Sequence, residues 1–512
     1  MSKLVWLRSD LRVVDNTALL HACQYRQASE PVIALYIATP MQWHEHNEAP
    51  IKIDFIHRRI VELKQSLAAL NIPLIVKEVA DFAAVPACIL ALAQEHQVNH
   101  VFCNKQYLVN ENQRDLQVGE QLASLSIKLS VLDDDCIIEP GRVLNKQGDP
   151  FKVFTPFRKK WVSVYHDQVA SRGVALVQPA PEAITDIDAR DDDARDDDAR
   201  DDDARDDRCR AVVTADLHSP SAPYFSYPVT NSVDWTVDDE AIRQRLLTFC
   251  YEKAMDYHTN RDYPAIDGTS CLSPYLAIGA LSLRQCFHTL MTEYPESLEK
   301  PESGAFTWFN ELVWREFYRH LTDANPKLCR EQPFHAWTNY VVWKNDENQL
   351  QAWQQGETGF PIVDAAMRQL KATGWMHNRL RMIVASFLTK DLLIHWQAGE
   401  QWFMSHLIDG DMASNNGGWQ WAASTGTDAQ PYFRVFNPTT QGQRFDPKGE
   451  FVRKWIKELK DVPDKFIHSP HLWLGAHTLS YPKPIVDHKQ ARLLAIETFK
   501  RANEQGKLQG SV

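Results

Sequence analysis

The segment DGDMASNNGGWQWAAS, residues 409–424, combines groups that rarely occur together in a core helix or a surface loop. The carboxylates of Asp409 and Asp411 precede Asn-Asn-Gly-Gly, and the indoles of Trp419 and Trp421 follow. Glycine leaves the backbone unhindered, so a ligand can approach it closely. Two tryptophans two positions apart face different directions on a helix. The combination suggests a site for a flat ligand, with burial of both rings as core the ordinary alternative.

A second segment, NELVWREFYRH, has a helical spacing of chemically distinct side chains. Glu311, Trp314, Arg315 and Tyr318 follow the spacing i, i+3, i+4, i+7 and share one helix face. A carboxylate, an indole and a guanidinium side by side form a poor core. This face predicts either an exposed ion pair lying on an aromatic ring or a cavity wall that stacks a planar group and hydrogen-bonds its edge.

The segment GWMHNRLRM gives a related pattern. Asn378 and Met382 are four positions apart and project together, with Arg379 beside them. Arg381 points elsewhere and could reach an acid such as Asp409. A helix-capping asparagine and an ordinary core methionine are the alternative interpretation.

The segment GTSCLSPYLAIG predicts the start of a helix, shortly after Tyr257. Ser273 suits the N-cap position, and a proline at the first helical position supports this assignment. The hydroxyls of Thr269, Ser270 and Ser273 would lie beside free backbone N–H groups, which can bind phosphate. Every capped helix offers part of this pattern, so it is weak evidence by itself.

Arginines accompany these aromatic residues, namely Arg261, Arg315, Arg379 and Arg434. Arginine interleaved with aromatic side chains suits a distorted nucleic acid, with phosphates at the rim and bases stacked inside. The chain has no Ser-His-Asp order, P-loop, HExxH motif or zinc-ligand spacing, which argues against a hydrolase, a kinase or a metal site.

Two kinds of element must position these groups. Residues 1–134 alternate short apolar, β-branched runs with helical stretches, which predicts an α/β domain with a doubly wound parallel sheet. The missing GxGxxG after the first strand argues against a dinucleotide bound in the Rossmann manner. Residues 135–234 predict a linker, and residues 235–512 predict an all-α domain.

Composition narrows the function classes further. Residues 186–207 contain the DARDD repeat and a net charge of −9, which leaves −3 of the total of −12 for the rest of the chain. The repeat has no apolar face to bury, and we expect it to be disordered. Nine cysteines without a CxxC pair favour free thiols in a reducing cytoplasm. The absence of a long apolar run or a signal-like N-terminus argues against a membrane protein.

Together, the strings WREFYRHL, GWMHNRLRM, DGDMASNNGGWQWAASTGTD and FNPTTQG resemble the DNA photolyase and cryptochrome family. The likeness is greatest to the bacterial cyclobutane pyrimidine dimer photolyases and spans nearly the whole chain except the acidic repeat. VWLRSDLRVVDN resembles the N-terminal signature of the family.

The resemblance implies that the helical domain binds FAD in a bent shape. Asn415 would lie by flavin N5, which favours repair over sensing, and Arg381 would pair with Asp409 beside the isoalloxazine. Cys271 stands where the family often has arginine, which puts only that side-chain contact in doubt. The FAD-binding residues implied are Tyr257, Thr269, Ser270, Leu272, Ser273, Arg381, Asp409, Gly410, Asp411 and Asn415.

The resemblance also separates the two indoles of the opening segment. Trp419 would begin an electron relay that continues through Trp396 to Trp343 near the surface. Trp421 would face the cavity and stack with Trp314 on a pyrimidine dimer flipped out of the duplex. Blue light would drive an electron from reduced FAD to the dimer, which splits and returns the electron.

The same resemblance assigns catalysis and DNA binding. Glu311 would hydrogen-bond the base edge and stabilise its developing charge, and Asn415 would act at the flavin. Asn378 and Met382 replace the two histidines of (6-4) photolyases and so weigh against that alternative. The DNA-binding residues implied are Arg261, Glu311, Trp314, Arg315, Asn378, Arg379, Met382, Trp421, Arg434 and Gln441.

An antenna chromophore is implied for the N-terminal domain. His46, Asn110, Glu111 and Cys329 match positions that line the folate antenna of bacterial relatives, so 5,10-methenyltetrahydrofolate is expected rather than a deazaflavin. We expect a cytoplasmic monomer without an obligate protein partner. The alternatives are a cryptochrome-type light sensor without repair, a (6-4) photolyase, and a flavoprotein unrelated to DNA.

Overall fold

A computed structural model describes residues 1–26, 30–168, 210–211 and 225–510. The acidic repeat and the disorder predicted for it lie outside these residues. The chain forms two compact units. The first comprises Met1–Arg142, Trp161–Leu247 and Leu272–Glu293, and the second comprises Val143–Lys160, Thr248–Cys271 and Tyr294–Val512.

The first unit contains the predicted parallel sheet. Its strands lie in the order β5-β4-β1-β2-β3, and a two-residue strand β6 pairs antiparallel with β3. All residues of β1 and β2 are buried, as expected for strands covered by helices on both faces. The strands are β1 Ser2–Leu7, β2 Val32–Ala38, β3 Leu74–Glu78, β4 Val98–Asn104, β5 Lys128–Leu132 and β6 Arg210–Ala211.

Helices supply the rest of the regular structure. In chain order the α-helices are α1 Thr17–Gln24, α2 Pro40–Glu45, α3 Pro50–Ala68, α4 Val85–Glu95, α5 Val109–Ser124, α6 Phe154–Gln168, α7 Asp239–Thr248, α8 Tyr257–Asn260, α9 Ser273–Ala277, α10 Leu283–Glu293, α11 Gly304–Ala324, α12 Glu347–Gln355, α13 Pro361–Thr373, α14 Asn378–Ser386, α15 Trp396–Met404, α16 Met412–Ala423, α17 Pro438–Phe445, α18 Glu450–Trp455 and α19 His488–Leu508. Two π-helical segments, Phe249–Lys253 and Phe387–Asp391, follow α7 and α14.

Short 3-10 turns complete the second unit. They are Ser297–Glu299, Pro326–Arg330, Ala336–Tyr340, Lys457–Leu459, Asp464–Phe466, Pro470–Leu472 and Leu474–Thr478. The predicted fold class, an α/β N-terminal domain with a helical C-terminal domain, is confirmed. Among the described residues, no helix combines the length and the apolar composition that a bilayer crossing requires.

The core of the second unit holds the tryptophans that the sequence analysis singled out. Trp396 and Trp419 are buried in it, whereas Trp343 and Trp421 pack against its edge. The N-cap of the long helix α11 is Ser303, whose side chain accepts a hydrogen bond from the N–H of Phe306. This cap fixes the start of the helix that carries Glu311 and Trp314.

Candidate active site

Helix α11 presents the predicted mixed face. Glu311, Trp314, Arg315 and Tyr318 are all half-buried, while the residues between them are buried. Trp314 stacks on Phe154 with ring centroids 3.7 Å apart and an interplanar angle of 7°. Because one face of this indole is covered by Phe154, only the opposite face can stack on a ligand. The sequence gave no signal for this contact, since 160 positions separate the two residues.

Charges of both signs surround Glu311. Its carboxylate accepts a hydrogen bond from Arg261 Nη1 at 2.6 Å, and Arg379 Nη2 lies 2.7 Å from Asp262 Oδ1. Arg261 also lies 3.9 Å from Asp262. Two of the predicted DNA-binding arginines are therefore held in place by carboxylates in one cluster. The third, Arg315, shares the face of Glu311, and Arg434 is exposed on a separate loop.

Asn378 is not the N-cap of α14, which was the alternative interpretation of this residue. His377 is the N-cap, and its Nδ1 accepts from the N–H of Arg379 at 3.2 Å. Asn378 is consequently free of the capping role and is exposed, and Met382 is half-buried one turn later. Arg379 Nη1 lies 3.7 Å from the sulfur of Met382. Asn378, Arg379 and Met382 therefore lie close together, as the helical spacing predicted.

The predicted pair of Arg381 and Asp409 forms. Arg381 Nη2 donates to both carboxylate oxygens, at 3.0 Å and 2.8 Å, and its Nε donates to the carbonyl of Met376. The loop before Asp409 is anchored where the N–H of Ile408 donates to the carbonyl of Gly374. A buried carboxylate thus meets a guanidinium that is partly open to solvent.

Asp411 caps a helix and forms an ion pair with an arginine. Its carboxylate caps α16 by accepting from the N–H of Ser414 at 2.9 Å and pairs with Arg319 at 2.8 Å. Burial opposes ionisation, but Arg319, Arg315 and the bonds to Ser414 outweigh it and lower the pKa of Asp411 to about 2. The carboxylate is therefore ionised at neutral pH. The sequence analysis did not single out Arg319, which lies one helical turn after Arg315 on α11.

The two asparagines at the start of α16 bind one acidic residue in two ways. Asn415 Nδ2 donates to the backbone carbonyl of Glu400 at 3.0 Å, and Asn416 Nδ2 donates to its carboxylate at 2.8 Å. Asn416 in turn accepts from Gln420 at 2.8 Å. Burial raises the pKa of Glu400 to about 7, although the bond from Asn416 lowers it. This network fixes the orientation of the Asn415 amide, and the sequence analysis did not single out Glu400.

The adjacent glycines Gly417 and Gly418 differ in their surroundings. A Cβ on Gly417 would lie 2.2 Å from ring atoms of Tyr318, so this glycine allows a side chain of the protein to approach. The expectation that both glycines admit a flat cofactor is wrong for Gly417. A Cβ on Gly418 would meet no described atom within 4 Å, which leaves open space there.

We expect Gly417→Ala to destabilise the protein by about 1–3 kcal/mol, because the added methyl group forces Tyr318 to move. Gly418→Ala is the matched control. It adds the same methyl group one residue later, in open space, and should leave stability unchanged or raise it by up to about 1 kcal/mol through helix propensity. Urea unfolding of both variants measures the difference. Equal stability of the two variants would contradict the close approach of Tyr318.

Helix α16 directs its two tryptophans to opposite sides, as predicted. Residues two apart on a helix lie about 200° apart around the axis. Trp419 is buried against Trp353 and Phe403, with ring centroids 6.0 Å and 5.0 Å away. A Cβ on Gly399 of α15 would lie 2.1 Å from its ring. Trp421 is only half-buried.

The three predicted relay tryptophans lie in one region of the second unit. Trp396 begins α15, and Gly399 of the same helix touches the ring of Trp419. Trp343 is half-buried near the surface, whereas Trp396 is 1% exposed. Trp343 is thus the one of the three that lies nearest the surface, and the relay itself stays a prediction.

The TSCLS segment departs from the expected cap. Helix α9 starts at Ser273, with Leu272 as its N-cap residue and without a side-chain capping bond, so the predicted N-cap at Ser273 is wrong by one position. Cys271 has φ of +50°, a left-handed conformation, and its sulfur lies 3.5 Å from Thr269 Oγ1. Thr269 and Ser270 are half-buried in the second unit. Leu272 and Ser273 belong to the first.

The aromatic ring before this segment is well defined. Tyr257 is buried at the start of α8, edge-on to Phe249 at 5.7 Å and under the guanidinium of Arg261 at 5.3 Å. Burial, followed by the charge of Glu311, raises the pKa of Tyr257 far above its usual range. The hydroxyl is therefore protonated at every pH at which the protein is used.

Three of the predicted antenna residues meet in the first unit. Asn110 Nδ2 and Gln42 Nε2 both approach His46 Nε2, at 3.1 Å and 3.0 Å, so this nitrogen accepts and the ring proton is on Nδ1. His46 Nδ1 lies 4.0 Å from Glu111. The fourth, Cys329, is half-buried in a 3-10 turn of the second unit.

Comparison with known proteins decides the family. The model for DNA photolyase matches residues 3–181, and the model for the FAD binding domain of DNA photolyase matches residues 308–501. The deoxyribodipyrimidine photo-lyase of Vibrio cholerae is 47% identical over 98% of this chain and 99% of its own length. The Escherichia coli protein of the same name is 46% identical over the same shares.

This chain belongs to the DNA photolyase family. Among solved structures, the class III photolyase from Agrobacterium tumefaciens has a TM-score of 0.79 and 31% identity, covering 98% of each chain. An archaeal photolyase from Sulfolobus tokodaii with two FAD molecules has a TM-score of 0.76 and 27% identity, covering 98% of this chain and 100% of its own.

The residues present fit the FAD that this photolyase family binds. The space beside Gly418 is open, and the half-buried Asn415 has its amide orientation fixed by Glu400. Arg381 and Asp409 offer a positive and a negative group for hydrogen bonds, and half-buried hydroxyls lie at Thr269 and Ser270. FAD is accordingly the cofactor of this photolyase-family protein.

Proposed function

We propose that this protein is a deoxyribodipyrimidine photo-lyase that repairs cyclobutane pyrimidine dimers in DNA under light. The observation that carries the proposal is the wall on α11, where the carboxylate of Glu311 lies beside the indole of Trp314 and pairs with Arg261. The identity of 47% over nearly full length to a protein of that name supports it. An acceptor, a stacking surface and cations together suit a flipped base and its phosphates.

Each part of the wall has a proposed task. Trp314 and Trp421 stack on the dimer, and Glu311 accepts a hydrogen bond from the base edge. Arg261 and Arg379, which Glu311 and Asp262 hold in place, bind phosphates at the rim. Arg315, Arg434, Asn378, Met382 and Gln441 complete the proposed DNA surface.

When bound, reduced FAD supplies the electron that opens the dimer and receives it back. The proposed work of the protein is orientation. Asn415, held by the Glu400 carbonyl, presents its amide to the flavin, and Arg381 with Asp409 provides opposite charges beside it.

Domain roles follow from the same proposal. We assign residues 1–134 to antenna binding, residues 135–234 to the linker and residues 235–512 to FAD and DNA. For the antenna we propose methenyltetrahydrofolate, held in the first unit by His46, Asn110 and Glu111. In open α/β sheets, ligands bind beyond the carboxyl ends of strands at the switch point, here between β1 and β4. Arg8 and Asp115, 3.1 Å apart and largely buried, occupy that position, which favours the more peripheral His46 cluster.

A direct repair assay tests the proposal. The purified protein, reduced beforehand, is illuminated with an oligonucleotide that contains one thymine dimer, and intact thymines are measured. Repair in light and none in the dark supports a photo-lyase. A protein that is photoreduced but leaves the dimer unchanged would instead be a light sensor without repair. We further propose that the protein acts as a cytoplasmic monomer.

We expect deletion of residues 188–207 to leave repair and FAD content unchanged. The described residues already contain the complete parallel sheet and the helical core. Shortening a polar insertion changes loop-closure entropy by only about 1 kcal/mol or less. Repair rate and bound FAD per protein check this directly. A rise in non-specific DNA affinity after the deletion would mean that the repeat screens DNA electrostatically. Loss of folding or of FAD would contradict the expectation.

A further inference from the structure

His395 lies between two tryptophans of the proposed relay. Its ring is edge-on to Trp343 with centroids 5.1 Å apart, and lies near-parallel to Trp396 with centroids 5.9 Å apart and an interplanar angle of 27°. His395 is half-buried, and the sequence analysis did not single it out. Any charge on this imidazole acts on both indoles at close range.

The backbone around His395 fixes this spacing. The N–H of His395 donates to Asn345 Oδ1 at 3.0 Å, and the N–H of Lys344 donates to the carbonyl of Leu393 at 2.8 Å. These two bonds join the segment that carries Trp343 to the turn that precedes α15. The separation of the two outer tryptophans is therefore set on both sides of His395.

The protonation state of His395 follows from its capping role. It is the N-cap of α15, where its Nδ1 accepts from the N–H of Gln397 at 3.3 Å. A nitrogen that accepts carries no proton, so the cap requires a neutral ring with its proton on Nε2. Burial lowers the pKa of His395 from its ordinary value, which agrees with this requirement. The ring therefore gains a charge only in acid, below the ordinary pKa of histidine.

Two buried carboxyls on the neighbouring elements titrate in the same range, because burial raises the pKa of Asp391 to about 6 and that of Glu400 to about 7. Lys344 follows Trp343, and the carbonyl of Glu331 accepts from the side chain of Gln397. The Nζ of Lys390 lies over the ring of Phe499, which touches Trp343 from α19, and burial lowers the pKa of this lysine well below its usual range. Burial is the single cause of the lowered pKa of His395, so none of these charges sets it.

We propose that neutral His395 is a positioning residue of the tryptophan relay, and that its protonation switches the relay off. The proposal rests on the proposed relay. In the outer step, Trp343 gives one electron to oxidised Trp396, so Trp396 becomes neutral and Trp343 becomes the cation. A positive imidazolium beside both rings makes either tryptophan cation less favourable. It also removes the lone pair that caps α15, which loosens the placement of Trp396.

The experiment measures photoreduction of the FAD-containing protein as a function of pH. We expect the wild-type rate to fall about tenfold between pH 8 and pH 4.5, with a midpoint below the ordinary histidine pKa. Transient absorption should show a matching loss of the tryptophan radical. Nuclear magnetic resonance of the histidine Cε1–H groups, assigned by difference from a His395 variant, should give the same midpoint independently of any light reaction.

Two variants separate charge from structure. His395→Asn keeps an N-cap acceptor, and His395→Phe keeps a ring, while neither can be protonated. Both should lose the fall in photoreduction rate that has the His395 midpoint, and only His395→Phe should lose about 2–4 °C of melting temperature with the cap. A wild-type rate that is flat in acid, or variants that retain the wild-type pH profile, overturns the proposal.

The test also distinguishes this proposal from the proposed function. Protein reduced beforehand with dithionite does not need the relay, so it should repair dimers in the wild type and in both variants. Failure of repair in the reduced wild type refutes the photo-lyase assignment and leaves the pH profile of photoreduction to be judged separately.

Discussion

Trp419→Phe should abolish photoreduction of oxidised FAD while leaving affinity for dimer-containing DNA unchanged. Phenylalanine keeps an aromatic ring in the pocket formed by Trp353 and Phe403, but it is much harder to oxidise than indole. Since Trp419 faces the core, its loss should not alter the DNA surface. Protein reduced beforehand with dithionite should still repair, because the repair electron comes from the flavin.

Trp421→Ala is the matched variant on the opposite side of the same helix. Photoreduction should survive, while affinity for dimer-containing DNA falls by about 1–3 kcal/mol from lost stacking. The measurements are the photoreduction rate and dimer binding for both variants, each normalised to folded protein with bound FAD.

The alternative interpretation, in which Trp419 and Trp421 are only core residues, predicts a different result for the two variants. If both indoles were only core residues, each substitution would lower melting temperature and FAD content, and both activities would fall in proportion. Trp419→Phe shortens a tightly packed side chain and should cost about 1–3 kcal/mol of stability by itself. The normalisation to folded protein removes that contribution, so proportional loss in both variants would refute the separation of roles.

The second large effect is expected at Glu311. Glu311→Ala should reduce the rate of dimer splitting at saturating DNA about tenfold, while dimer affinity falls by no more than about 1–3 kcal/mol. A carboxylate that accepts from the base edge gains importance when the base acquires charge, which is selective stabilisation of the reacting state. The measurement is repair per absorbed photon at saturating substrate, with Kd determined in the dark.

Two further substitutions serve as controls for Glu311. Glu311→Gln keeps a hydrogen-bonding side chain of the same size, and it should retain more repair than alanine does. Asp262→Asn removes a carboxylate from the same cluster, where it pairs with Arg379, and should affect affinity only. Repair per photon that is unchanged in Glu311→Ala would rule out the assignment of this residue to catalysis.

Local patterns were sufficient for several features of this protein. Apolar runs bounded by helices predicted the parallel sheet, because strand and helix periodicities are properties of short segments. The shared face of Glu311 and Trp314 followed from helical spacing alone. So did the opposite directions of Trp419 and Trp421, and the pair of Arg381 and Asp409 required only that a long side chain point away from its neighbours.

Two of the wrong predictions concerned helix caps, and a third concerned a contact between helices. Serine is a residue type favoured at N-cap positions, which is why Ser273 was predicted to cap α9. In the structure Leu272 occupies the N-cap position. Asn378 was a possible cap for α14, but His377 takes that role. Cap positions depend on where the chain enters the helix, and a shift of one residue changes no hydrophobic pattern. The role of Gly417 was misassigned because its neighbour, Tyr318, belongs to another helix.

The sequence by itself thus determined which elements form and which side of each element carries the unusual side chains. Only the tertiary structure decided what those side chains meet, such as Phe154 on Trp314 or the Glu400 carbonyl on Asn415. Both contacts join different helices or loops, and their geometry depends on how whole helices pack. Helical periodicity carries no information on that packing, whereas burial and hydrogen-bond satisfaction across elements fix it.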